Sequence, residues 1–164
     1  MKQKKLVSMM GVLVILIGIT LVTVGCGQAN KAGDTNNAVV GNGITGVWKV
    51  SKQGQQEYPQ DPSNGKVPGM QIQMYYCFTA DGKGIMAVEK KGMPSQNGLF
   101  RFKEQASYKL LEGNKIEMTI GGQSATSSYT LSGNVLTMTE MQLVATKVSS
   151  PTEAQIKAAP ELQQ

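Results

Sequence analysis

From Gly43 to Val148, apolar residues recur at alternate positions in short runs, and glycine, asparagine or aspartate separates the runs. A period of two belongs to a strand with one face on a core, so this stretch is constrained to a sheet. The clearest run is Met70–Phe78. Met70, Ile72, Met74, Tyr76 and Phe78 share one face, and Gln71, Gln73, Tyr75, Cys77 and Thr79 share the other. The first face is expected to be dry and the second mostly wet, with Cys77 on the wetter side.

Turn chemistry sets the expected registers. A two-residue loop at Asp81-Gly82 would place Phe78 opposite Ile85 and Tyr76 opposite Ala87. The same geometry at Gly133-Asn134 pairs Leu131 with Leu136 and Tyr129 with Met138, all four facing inward. A weak internal repeat supplies the third hairpin, since Tyr108–Thr119 echoes Tyr129–Thr139 with one extra residue before Gly113. A two-residue loop there would face Leu110 with Glu117. A three-residue loop, Glu112-Gly113-Asn114, pairs Leu110 with Ile116 and Tyr108 with Met118, and the core pattern favours it. Further strands are expected at Thr45–Ser51, at Leu99–Lys103 with Phe100 and Phe102 inward, and at Met141–Val148. The stretch from Gln53 to Pro68 reads as a long irregular loop of lid or linker type, and Lys90–Asn97 as a shorter one. Ser150-Pro151-Thr152-Glu153 reads as a capping box with proline at the first helical position. It would open a short helix that Pro160 ends.

Eight or nine short strands in hairpin order predict an all-β, up-and-down barrel of about eight strands with a short C-terminal helix. Three elements carry a resemblance: Gly46-Val47-Trp48-Lys49, the stretch Phe78–Gly84, and the paired hairpins beginning at Tyr108 and Tyr129. With these the chain resembles the small bacterial lipocalin-like lipoprotein domains over about Ile44–Val148. The Thr-Asp-Tyr signature of lipocalins is absent, and Lys147 stands where that family packs an arginine across the tryptophan. The resemblance implies a barrel able to hold a small hydrophobic ligand. The candidate ligand-binding or core residues are Trp48, Met74, Tyr76, Phe78, Met86, Met118, Tyr129 and Met138. Methionine adapts to irregular apolar surfaces, so the set suits a ligand; the same set can instead fill a small barrel. Trp48 is expected to plug one barrel end.

The N-terminus adds a compartment. Lys2, Lys4 and Lys5 precede an apolar run from Leu6 to Val24, and Gly25-Cys26-Gly27 follows. A basic head, a greasy middle and a small residue before the cut describe a secretory signal helix. With Cys26 after the cut, the segment resembles a bacterial lipoprotein signal, although Thr23 occupies a position where that family prefers leucine. The resemblance implies a diacylglycerol on the Cys26 thiol. The alternative is an uncleaved anchor, since about 20 apolar residues span a bilayer. Either way the remainder is expected on the extracytoplasmic face of a membrane. The expected organisation is a signal at 1–25, a tether at 26–43 with small polar composition, a barrel at 44–149 and a tail or short helix at 150–164.

Composition narrows the chemistry. Three of the 16 basic residues lie in the signal, which leaves 13 against 11 acidic ones, a mature charge of about +2. No basic stripe suggests nucleic acid. The chain has no histidine, which removes the commonest general base and metal ligand. No catalytic or metal-binding constellation is read, and no cofactor is expected. Glu112 and Glu117 fit turns or outer faces, and Asp81 fits a turn. The expected function is a membrane-tethered lipocalin-like lipoprotein that holds a small apolar ligand. The alternative is a structural or protein-interaction lipoprotein with a filled core and an unknown protein partner.

Overall fold

The computed structural model describes residues 43–93 and 96–163. The signal, the tether up to Asn42, and Cys26 lie outside the described residues. The strands are β1 Gly46–Gln53, β2 Gln56–Glu57, β3 Gln71–Phe78, β4 Lys83–Lys91, β5 Gly98–Arg101, β6 Ala106–Leu111, β7 Lys115–Ile120, β8 Gln123–Ser132, β9 Val135–Met138 and β10 Leu143–Val148, followed by the helix α1 Glu153–Ala158.

Every ladder is antiparallel. The path runs β10-β9-β8-β7-β6-β4-β3-β1, and β1 also pairs with β10. In that seam Val47 faces Val148 and Trp48 faces Lys147. The pairing closes an eight-stranded barrel, and closure removes the free edges that would recruit other chains. β2 pairs with β1, and β5 pairs with β4. β5 and β6 act as one interrupted strand along β4. Phe102 N–H donates to Met86 O at 2.9 Å, and Ala106 faces Gly84, so Lys103–Gln105 bulge out opposite Ile85.

Two of the expected registers are found. Leu110 faces Ile116 and Tyr108 faces Met118 across the loop 112–114, where Gly113 (φ +71°) and Asn114 (φ +56°) take the left-handed backbone that a bulged loop needs. Tyr129 faces Met138 and Leu131 faces Leu136. Leu131 nevertheless lies at the barrel rim, 40% exposed, rather than inside. The Asp81-Gly82 expectation is corrected by one residue: Phe78 faces Gly84 and Tyr76 faces Met86. Thr79 Oγ1 accepts the Lys83 N–H at 3.1 Å, and Thr79 N–H donates to Lys83 O at 2.9 Å. These bonds make Ala80-Asp81-Gly82 a three-residue loop, so Met86 points inward and Ile85 outward.

The barrel interior holds Ile44, Trp48, Val50, Met74, Tyr76, Phe78, Ala106, Tyr108, Ile116, Met118, Leu136, Met138, Leu143 and Ala145 in one cluster. The second face of β3 corrects the wet expectation. Gln73, Tyr75, Cys77 and Thr79 are all buried. On that face Val47, Tyr75, Cys77, Ile85, Ala87 and Ile156 form a separate apolar cluster, with Leu99 and Val148 packed against it. Ile156 comes from α1, so the helix roofs the outer wall. Burying such a side chain contributes about 1.5–3 kcal/mol.

The helix start also differs from expectation. The N-cap is Thr152, whose Oγ1 accepts from Gln155 N–H at 3.2 Å while Gln155 Oε1 accepts from Thr152 N–H at 2.8 Å. The box is therefore Thr152–Gln155 rather than Ser150–Glu153, and Pro151 precedes the cap. The stretch 53–68 is less irregular than expected. It contains β2 and a bridge from Gln60 to Ile72, and Asp61 accepts from Ser63 N–H at 2.8 Å and Gly65 N–H at 2.7 Å. Phe102 packs against the interior cluster, whereas Phe100 lies beneath Lys90, whose Nζ is 5.6 Å from the ring centre.

The strand directions define two barrel ends. One gathers Gly43–Gly46 and the loops 79–82, 112–114 and 133–134. The other gathers the long stretch after β1 and the turns 121–122 and 139–142.

Candidate functional site

The eight candidate residues meet in one place. Trp48, Met74, Tyr76, Phe78, Met118 and Met138 are buried within the interior cluster, and Met86 and Tyr129 are partly buried against it. They come from β1, β3, β4, β7, β8 and β9, and alternation aims each one inward.

Trp48 closes the end where the chain enters. It is 1% exposed, and its Nε1 donates to Ile44 O at 2.6 Å. Lys147 Nζ lies 5.5 Å from its ring centre, so a lysine from β10 does cover the indole, as a cation on a π-face. Above it the rings interlock. Tyr76 stacks on Phe78 at 6.2 Å, and Phe78 meets Tyr108 edge-on at 5.1 Å. Tyr76 keeps a polar handle, since its hydroxyl accepts from Gln53 Nε2 at 3.1 Å. Burial pushes the Tyr76 phenol up to about 12, so it stays protonated at neutral pH. Tyr108 donates its hydroxyl hydrogen to Thr79 O at 2.8 Å, which ties the interior to the 79–82 loop.

Six of the eight residues are thus packed against one another and against neighbouring strands. Of the eight, Met86 also lines a groove. It shares a space of about 700 Å³ with Phe102, Lys103, Glu104 and Leu162. This groove sits where the 103–105 bulge interrupts the wall. Leu162 is carried there by the C-terminal tail: Arg101 N–H donates to Pro160 O at 2.9 Å, Leu162 N–H donates to Arg101 O at 2.8 Å, and Arg101 pairs with Glu161 at 2.8 Å. Phe102 was legible as an inward aromatic. Leu162 had no sequence signal, because a tail-to-strand pairing across 60 residues leaves no local pattern.

A second cleft, of about 540 Å³, lies on the outer wall beside α1. Tyr75 donates to Glu89 there at 3.0 Å, and Lys91 pairs with Glu89 at 3.2 Å. Burial and the neighbouring Glu89 hold the Tyr75 phenol well above its ordinary value. Cys77 lies buried in the cluster under α1, and burial pushes its thiol up to about 11. A protonated, shielded thiol is a poor nucleophile.

Two of the acids assigned to turns or outer faces make surface ion pairs. Glu117 pairs with Lys109 at 3.8 Å, and Asp81 pairs with Lys83 at 3.1 Å. Glu140 locks the β9–β10 turn to β8, accepting from Ser128 N–H at 2.6 Å and Ser127 Oγ at 2.9 Å. Those bonds hold its carboxyl down to about 2.

Fold and site together define a closed eight-stranded antiparallel barrel with an aromatic- and methionine-rich interior, an architecture compatible with a lipocalin-like fold. Comparison with known proteins gives no matching family model, no matching curated protein and no matching solved structure.

Proposed function

We propose that this chain is an exported, lipid-anchored barrel of lipocalin-like type that holds a small apolar ligand at the groove beside Met86. The carrying observation is that groove, about 700 Å³, with Met86, Phe102 and Leu162 on its walls and Lys103 and Glu104 beside them. Its size falls within the range of small-molecule sites, about 300–1,000 Å³. The anchor part of the reading rests on Lys2–Lys5, the apolar run to Val24, and Cys26. No catalytic step is part of it.

Mass spectrometry of lipid that co-purifies non-covalently with the detergent-extracted protein tests the ligand. A bound apolar molecule should be recovered from the native chain, and a Met86→Glu variant with unchanged fold should carry at least about tenfold less. Empty native preparations, with apolar fluorescent probes that bind both forms alike, would sink the ligand reading. The anchor has its own test. Cys26→Ser should release the processed chain from membranes, whereas unchanged retention would mean a spanning anchor.

One observation favours a second reading, a protein-interaction or structural lipoprotein. Most of the candidate residues are packed together rather than facing open space, which suits a filled core. On that reading the outer wall and loops carry the function.

A further inference from the structure

Four large apolar side chains stand out at the described surface: Val67 at 40% exposure, Leu111 at 42%, Leu131 at 40% and Val135 at 38%. Three of the four share one barrel end. Leu111 precedes the 112–114 loop, and Leu131 and Val135 flank the Gly133-Asn134 turn. The chain enters at the same end. A Cβ placed on Gly43 would come within 2.9 Å of Leu131 Cδ1, so the entering segment runs beside this hairpin. Isolated exposed apolar residues are ordinary; what sets these three apart is that they share the end at which the chain enters.

We infer that this end rests on the lipid bilayer, with Leu111, Leu131 and Val135 seated at the boundary between headgroups and acyl chains. The inference deepens the anchor reading and rests on it. What selects the bilayer over other partners is the point of entry. Cys26 precedes Gly43 by 17 residues, so a lipid on Cys26 keeps this end within at most about 60 Å of the membrane. Tethering raises the effective concentration of the two surfaces, and weak apolar contacts then suffice. The charges at this end do not favour an electrostatic dock. Asp81 and Lys83 pair with each other, Lys109 pairs with Glu117, and Glu112 in the loop and Lys115 just after it carry opposite charges. Docking should therefore be nearly insensitive to salt, unlike a polybasic contact.

The test uses the full chain reconstituted into phosphatidylcholine–phosphatidylglycerol vesicles. An environment-sensitive fluorophore is attached through Asn134→Cys at this end, or through Lys66→Cys at the opposite end. Each labelled site is assigned by peptide mapping. Vesicles should raise the emission at position 134 at least about twofold and leave position 66 unchanged. The gain at 134 should persist at 0.5 M salt. It should vanish in the Leu111→Ser, Leu131→Ser, Val135→Ser triple variant, which still floats with vesicles and keeps the wild-type Trp48 emission spectrum. A chain that floats with no gain at 134, or with equal gains at both positions, overturns the docked orientation and leaves the anchor standing. A chain that does not float overturns the anchor reading, and this inference with it.

Discussion

Trp48 shows how one side chain serves several contacts at once. It closes the barrel end, bonds Ile44 O and lies under Lys147. Trp48→Ala should cost about 3–5 kcal/mol, read from denaturant unfolding, because the cavity it leaves is walled by strands that cannot collapse. Lys147→Ala should cost only about 0.5–1 kcal/mol, the worth of an exposed cation–π contact. Glu140 gives a pH signature. Its folded value of about 2 lies below its ordinary 4.5, so its contribution is fully present above pH 4.5 and is lost as pH falls toward 2. Hydrogen bonds likewise hold Asp61 and Asp81 below the usual carboxylate range. The urea midpoint should therefore drop between pH 4.5 and 2, and Glu140→Gln should flatten part of that drop. A mutant curve parallel to wild type would show that the Ser127–Ser128 contacts do not favour the ionised form.

At the scale of elements, alternation revealed more than turns did. The inward face of β3 was readable because Met74, Tyr76 and Phe78 alternate, and the bulged 112–114 loop was readable because the shorter one would have buried Glu117. The 79–82 register was not, since it depends on the Thr79 hydroxyl capturing the Lys83 N–H, a choice that an Asp-Gly pair does not announce. Nor was the fate of the other face of β3. Its cover comes from α1, about 80 residues later, and a period of two says which side chains share a face but not what lies over it. Tyr75 and Cys77 were the hint, being themselves unsuited to water. The helix that covers them is short and depends on its cap and on Ile156. Thr152→Ala should cost about 1 kcal/mol. Ile156→Asp should speed alkylation of Cys77, followed peptide by peptide, by lifting the roof from the thiol. Equal rates in both proteins would mean that α1 does not shield it.

For the whole molecule, closure is the property on which the rest depends. The seam between β1 and β10 joins residues about a hundred positions apart and brings Trp48, Leu143 and Ala145 into one buried cluster. Amides along that seam should exchange with solvent as slowly as those of the β3–β4 ladder. Fast exchange confined to the seam would describe an open, curled sheet. Closure also explains why the site was only half legible. The sequence indicated which residues face the axis, but not whether the space among them is filled; that is decided by side chains from six strands meeting at once.

The way the C-terminal tail is held has a practical corollary. Pro160 and Leu162 are stitched to Arg101, and Leu162 forms part of the wall beside Met86. An affinity handle or fluorescent fusion joined just after Leu162 would begin at the wall of that groove. A test of the proposed ligand on such a fusion therefore needs a matching protein with the handle placed elsewhere.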